Sequence, residues 1–142
     1  IRYILFTTQP DDVPEAIDAW LKTLRPIPGP YLENGGLSAS ARRGKKLFES
    51  SEARCATCHK STYFTDQQHH DVGTICPTDK PGDLFDTPTL IEIWRTAPYL
   101  HDGSSATLKE VLTTRNHGDR HGKTSQLSPK QIDDLVEYLL SL

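Results

Sequence analysis

Apolar positions recur at helical spacing in three stretches of the chain. Val13, Ile17, Trp20 and Leu24 fall on one face of a helix with Asp12 as its N-cap, Pro14 in its first turn and Glu15 three residues after the cap. From Ser38 a second helical pattern puts Gly44, Leu47 and Phe48 on one stripe, with Arg42, Arg43, Lys45 and Lys46 filling the rest. The third begins at Ser128-Pro129-Lys130-Gln131, which combines an N-cap serine, proline at the first helical position and a glutamine placed for a capping box. Ile132, Leu135, Val136 and Leu139 then line one face through to Leu142. A side chain missing at Gly44 lets another helix cross closely, with Phe48 one turn later at the crossing, at a cost of about 1 kcal/mol in helix propensity. The pattern therefore predicts that the second and last helices cross there, with Tyr138 near the contact. Trp20 reads as a core or interface residue rather than a redox relay.

Between these stretches the signals are shorter. Residues 1–8, IRYILFTT, read as a strand, punctuated by Gln9-Pro10-Asp11-Asp12. Pro26, Pro28, Gly29 and Pro30 make the strongest compositional break, which divides the chain into a strand-helix segment at 1–31, read as the tail of a preceding domain, and a domain at 32–142. Within the latter come a loop at 60–86, a short helix at about 88–96, a turn at Asp102-Gly103 and a helix opened by Thr107-x-x-Glu110. The fold class this predicts is all-α.

The 142 residues suffice for one domain that buries a core around a sizeable cofactor. With 16 Lys and Arg against 19 Asp and Glu, the net charge of -3 supplies no broad basic field, which argues against nucleic acid or an anionic membrane surface as partner. No apolar run approaches the roughly 20 residues that cross a bilayer. The basic run at 42–46 reads as a solvated face, or as a docking patch for an acidic redox partner. The chain opens at Ile1, with neither an initiator methionine nor a signal-peptide pattern, and is expected to be a piece of a longer protein.

The chemistry concentrates at Cys55-Ala56-Thr57-Cys58-His59. Two cysteines flanking two residues, with histidine next, is the attachment spacing of a c-type haem: the thiols form thioethers and the imidazole reaches the iron. Cys55 and Cys58 are then the covalent anchors and His59 the proximal iron ligand of a single haem. A zinc knuckle would need a second compact pair, and the only other cysteine, Cys76, stands alone. Covalent haem attachment takes place outside the cytoplasm in bacteria, so the periplasm or cell surface is the expected compartment. Cys76 is there either a small loop residue or a free or intermolecular thiol.

The stretches GKKLFES before the motif, FTDQQHHDVGT after it and FDTPTLIEIWRTAPYLHDGSSATLKEVL at 85–112 resemble the C-terminal haem domain of bacterial di-haem cytochrome c peroxidases and methylamine-utilisation enzymes. They look closer still to single-haem cytochrome modules at the C-terminus of large bacterial surface or β-propeller proteins. The resemblance covers most of 38–142 and implies a class I-like cytochrome c fold. Those peroxidases couple two haems, whereas this chain has one motif. It also implies a sixth iron ligand, methionine or tyrosine, at the position matched here by Arg115, and arginine stays protonated and does not ligate.

The chain has no methionine, which rules out His/Met ligation. Either a histidine fills the sixth position or the site is open. His121 is preferred, with His117 the alternative, since Gly118 and Gly122 let that loop bend an imidazole towards iron. His70 and His69 are less favoured; His101 suits a bond to a haem propionate or backbone, with Asp102 fixing its tautomer. Arg95 and Arg115 match propionates bidentately or are solvated surface residues. Bis-histidine ligation implies a low-potential, low-spin haem passing single electrons to a redox protein or adjacent redox domain. The competing readings are a peroxidase-like enzyme, with His121 or His117 as a distal acid-base group, and a gas sensor.

Overall fold

The computed structural model describes residue 10 and residues 12–142; the strand expected at 1–8 lies outside the described residues. Among the described residues four α-helices, α1 (Asp12–Leu21), α2 (Ala39–Phe48), α3 (Leu108–Leu112) and α4 (Pro129–Leu140), carry the fold, with single 3-10 turns at Cys55–Thr57, Ile93–Arg95 and His117–Asp119. One antiparallel ladder of two-residue strands, β1 (His69–His70) and β2 (Phe85–Asp86), pins the ends of the long loop, pairing His69 with Asp86 and His70 with Phe85. The sequence pattern predicts that stretch as plain loop. It also expected a helix at 88–96, where only the Ile93–Arg95 turn forms, because Glu92 takes a left-handed φ of 59° that an α-helix does not continue through.

The helix starts are where local chemistry put them. Ser38 accepts from the Ala41 N–H, and both Thr107 and Ser128 form complete capping boxes, with Glu110 and Gln131 as reciprocal partners. α2 and α4 cross at Gly44, where a Cβ would meet the Asp134 carbonyl oxygen at 1.9 Å and the Tyr138 Cβ at 2.9 Å. Phe48 packs edge-on to Tyr138 at the crossing, ring centroids 5.3 Å apart, and edge-on to Phe64 at 6.0 Å. Ala41, Phe48, Leu90, Leu108, Leu112, Leu135 and Leu139 complete one contiguous core around this contact.

A buried carboxylate ties the crossing together. Arg43 donates from Nε and Nη2 to Asp134 at 2.7 and 2.6 Å, Lys130 adds a contact at 3.3 Å, and Ser40 donates from above. The Arg43 guanidinium holds the Asp134 carboxyl well below the usual carboxylate range. Arg43 is thus spent on the fold rather than free in the basic run.

α1 departs from the core half of its expectation, which was a core or interface face. Among the described residues it has no buried position, and Ile17 and Trp20 are 46% and 61% exposed, so Trp20 is not a core residue of this fold. The reason is that α1 and the segment after it touch the domain only further on. Gly29 is packed against the Leu140 carbonyl and the Trp94 indole, and the Ile27 N–H donates to Glu92. Asp12 also stands inside the helix rather than before it.

Candidate haem site

The 3-10 turn at Cys55–Thr57 presents Cys55, Cys58 and His59 to a cavity of about 690 Å³. Phe48 of α2, Leu108, Val111 and Leu112 of α3 and Leu139 of α4 supply its apolar wall, and Phe85 through Leu90 another side. All three cysteines are free, and burial pushes the Cys55 thiol up to about 11. His59 Nδ1–H donates to the Phe64 carbonyl at 3.0 Å, which fixes the tautomer and leaves Nε2 with its lone pair. Burial lowers the basicity of that imidazole, so it stays neutral, the form a metal ligand needs.

Across from it stands His121, ring centroids 6.1 Å apart and planes tilted by 46°. Two metal-imidazole bonds of about 2 Å each, with the inner half of each ring added, span about 6 Å. Burial, followed by the nearby His59, lowers the His121 imidazole to about 4. Its Nδ1 is buried without a hydrogen-bond partner. Gly122 lies under the attachment turn: a Cβ there would meet the Ala53 carbonyl at 3.1 Å and Cys55 Sγ at 3.8 Å, and its φ is +77°. A cavity flanked by two thiols, two neutral imidazoles and an orphaned ring nitrogen fits a covalently anchored haem.

The loop carrying His121 is closed by one buried side chain that the sequence reading did not single out. Asn116 Oδ1 accepts from the His121 N–H at 2.8 Å, while its Nδ2 donates to the Gly122 carbonyl at 2.9 Å and to Thr124 Oγ1 at 2.7 Å. Thr124 in turn donates to the Leu112 carbonyl, tying the loop to α3. The only sequence signal for this was an asparagine heading a glycine-containing turn. His117 points elsewhere: it is exposed and absent from the cavity lining.

The remaining candidates lie in several places. His70 lines the cavity but donates to Asp66 at 2.9 Å, and Asp66, held chiefly by the Gln68 N–H and then by His70, sits well below the usual carboxylate range. His69 is exposed. His101 lines the rim, stacked on Phe85, and bonds to Asp79 rather than to Asp102. Arg95 pairs with Glu92, and Arg115 with Asp102 and Ser104, both on the surface and outside the cavity lining. The arginines that do line the cavity are Arg54 and Arg120, the latter paired with Asp71.

Residues 41–142 match the Cytochrome c family. Hydrazine synthase subunit gamma of Kuenenia stuttgartiensis is 31% identical over 90% of this chain and 48% of its own length. Methylamine utilization protein MauG of Methylorubrum extorquens is 30% identical over 78% of the chain and 36% of its length. Cytochrome-c peroxidase IdrP1 of Denitromonas iodatirespirans is 38% identical over 51% of the chain and 22% of its length. Among solved structures, hydrazine synthase of Kuenenia stuttgartiensis superposes with a TM-score of 0.76 at 30% identity over 90% of this chain and 54% of that one. A MauG-like protein associated with microbial copper homeostasis gives 0.61 at 26% identity over 77% and 48%. The chain spans about half the length of these relatives or less.

Proposed function

Because this chain belongs to the cytochrome c family and so binds a covalent c-type haem iron, we propose that it is an electron-transfer module in which His59 and His121 would both ligate the iron. The supporting observation is the pair of half-buried imidazoles, each with its basicity lowered by desolvation, with centroids 6.1 Å apart across the cavity. Bound there, the haem supplies one-electron exchange between ferric and ferrous iron. The chain's residues do the rest. Cys55 and Cys58 anchor the group, Phe64 orients His59, Asn116 positions the His121 loop, and the walls from α3 and α4 exclude water. Arg54 and Arg120, rather than Arg95 or Arg115, stand where propionates could be paired.

The single attachment motif makes this a mono-haem unit of class I-like form, working with a redox protein or an adjacent redox domain. Covalent attachment assigns it to an extracytoplasmic compartment, the periplasm or the cell surface. Among the described residues no helix is long and apolar enough to cross a membrane. The segment at 1–31, whose α1 has no buried position among the described residues, belongs on this reading to a preceding domain.

A second reading is supported by the relatives named as peroxidases and by the setting of His121 between two glycines with φ of +68° and +77°. There His121 would not ligate the iron and would instead work as a distal acid-base group. Carbon monoxide added to the reduced protein separates the two. The electron-transfer reading expects little binding and a low-spin ferric spectrum; ready binding and a high-spin ferric spectrum would replace it with peroxide turnover at this haem.

A further inference from the structure

At the rim of the haem cavity, a second cluster of ligating side chains stands apart from those assigned to the iron. Cys76 and Asp79 share one tight turn: the Cys76 N–H donates to Asp79 Oδ2 at 2.8 Å, and the Asp79 N–H donates to the Cys76 carbonyl at 3.0 Å. His101 arrives from a different loop, the turn before Gly103, with Nε2 at 3.1 and 3.2 Å from the two Asp79 oxygens. Its ring is stacked on Phe85 of β2, centroids 3.6 Å apart and planes 19° from parallel, which leaves the imidazole edge facing Asp79. The thiol sulfur, a carboxylate oxygen and an imidazole nitrogen all lie within 4.8 Å of one another.

We propose that Cys76, Asp79 and His101 form a zinc site with water in its fourth position, a function not served by the haem chemistry. Tetrahedral zinc, with bonds of about 2.3 Å to sulfur and 2.0–2.2 Å to nitrogen and oxygen, sets its ligand atoms roughly 3.2–3.8 Å apart, so small side-chain rotations bring these three into place. One thiolate and one carboxylate neutralise a divalent cation. On binding, the Cys76 thiol releases its proton to solvent, while the His101 proton that Nε2 donated to Asp79 moves by way of solvent to Nδ1, which frees Nε2 to bind the metal. Asp79 and His101 side chains are 15% and 36% exposed, which gives the ion a way in from solvent. The other triad of this kind among the described residues, Cys58, Asp66 and His70, uses a cysteine already committed to the haem and carries no separate site. The zinc would clasp the 71–84 loop to the turn at 98–103, beside the haem edge.

The test uses the holoprotein, in which Cys55 and Cys58 are thioethers and Cys76 is the one thiol left of the three cysteines. After chelator treatment and desalting, zinc chloride is added and three quantities are read: bound zinc per haem, iodoacetamide labelling of Cys76, and the zinc-edge X-ray absorption spectrum. We expect one zinc per haem, labelling slowed by about tenfold or more, and one sulfur in the zinc shell. Cys76→Ser and His101→Ala, each checked for an unchanged haem spectrum, should lose the stoichiometric zinc. Zinc that washes out of the unmodified protein, a shell without sulfur, or equal zinc retained by both variants would overturn the proposal. If His101→Ala disturbs the haem spectrum, Asp79→Asn replaces it, with the same loss expected.

Discussion

Gly44→Ala tests the helix crossing on which the cavity wall depends. The added Cβ would sit 1.9 Å from the Asp134 carbonyl oxygen, 2.6 Å from its carbon and 2.9 Å from the Tyr138 Cβ. The oxygen and carbon are backbone, so no side chain can swing aside and the helices must part by about an ångström. Alanine gains about 1 kcal/mol of helix propensity over glycine. Against that stands an overpacking cost of roughly 3 kcal/mol, at the upper end of the usual range because Ala41, Phe48, Leu135 and Tyr138 all lose contact together. The net expectation is a loss of about 2 kcal/mol, or some 6–10 °C in melting temperature for a chain of this length. Far-UV circular dichroism of the holoprotein reads it. Gly36→Ala is the control, since its Cβ would meet only the Glu33 carbonyl at 3.8 Å, and it should change stability by less than about 0.5 kcal/mol. A Gly44→Ala protein as stable as the parent would refute the reasoning about the crossing.

Three further outcomes follow from the structure. Asp134→Asn strands the Arg43 guanidinium and should cost about 2 kcal/mol at neutral pH. The folded-state carboxyl titrates below its unfolded range, so its contribution is present above about pH 4 and fades as pH falls below that; urea midpoints should therefore converge at low pH, and a constant gap would sink the assignment. Asn116→Ala frees the His121 N–H and leaves the Gly122 carbonyl and Thr124 hydroxyl short of a partner. It should cost roughly 1–3 kcal/mol and raise the high-spin fraction of the ferric haem, whereas a merely structural role would leave the spin state unchanged. Arg120→Ala, by removing a cation at the cavity, should lower the reduction potential, while Arg95→Ala on the surface should leave it in place.

What could be read from the sequence was what is local. Capping at Thr107 and Ser128 follows from side chains within three residues of the backbone groups they satisfy. The α2–α4 crossing was legible because an absent side chain at Gly44 is itself a positional signal. The grouping of Cys55, Cys58 and His59 was legible because thioether attachment demands a fixed spacing, and the three side chains line one cavity. The apolar face of α1 left core and interface both open for the converse reason: periodicity shows that a face is apolar, not what covers it. The β1–β2 ladder joins His69 to Asp86 and His70 to Phe85 across a long loop through only two positions each, too short a pattern to stand out. Between His117 and His121 spacing offered no decision. The separation comes from Asn116 and Gly118, which turn the loop so that one imidazole enters the cavity and the other faces solvent.

The most direct test of His121 as partner to His59 is the low-temperature EPR spectrum of the ferric protein, compared with His121→Ala and His117→Ala. The account predicts a low-spin signal for the parent and for His117→Ala, and conversion to high spin for His121→Ala. A parent already high-spin, or a His121→Ala protein that stays low-spin, would contradict it.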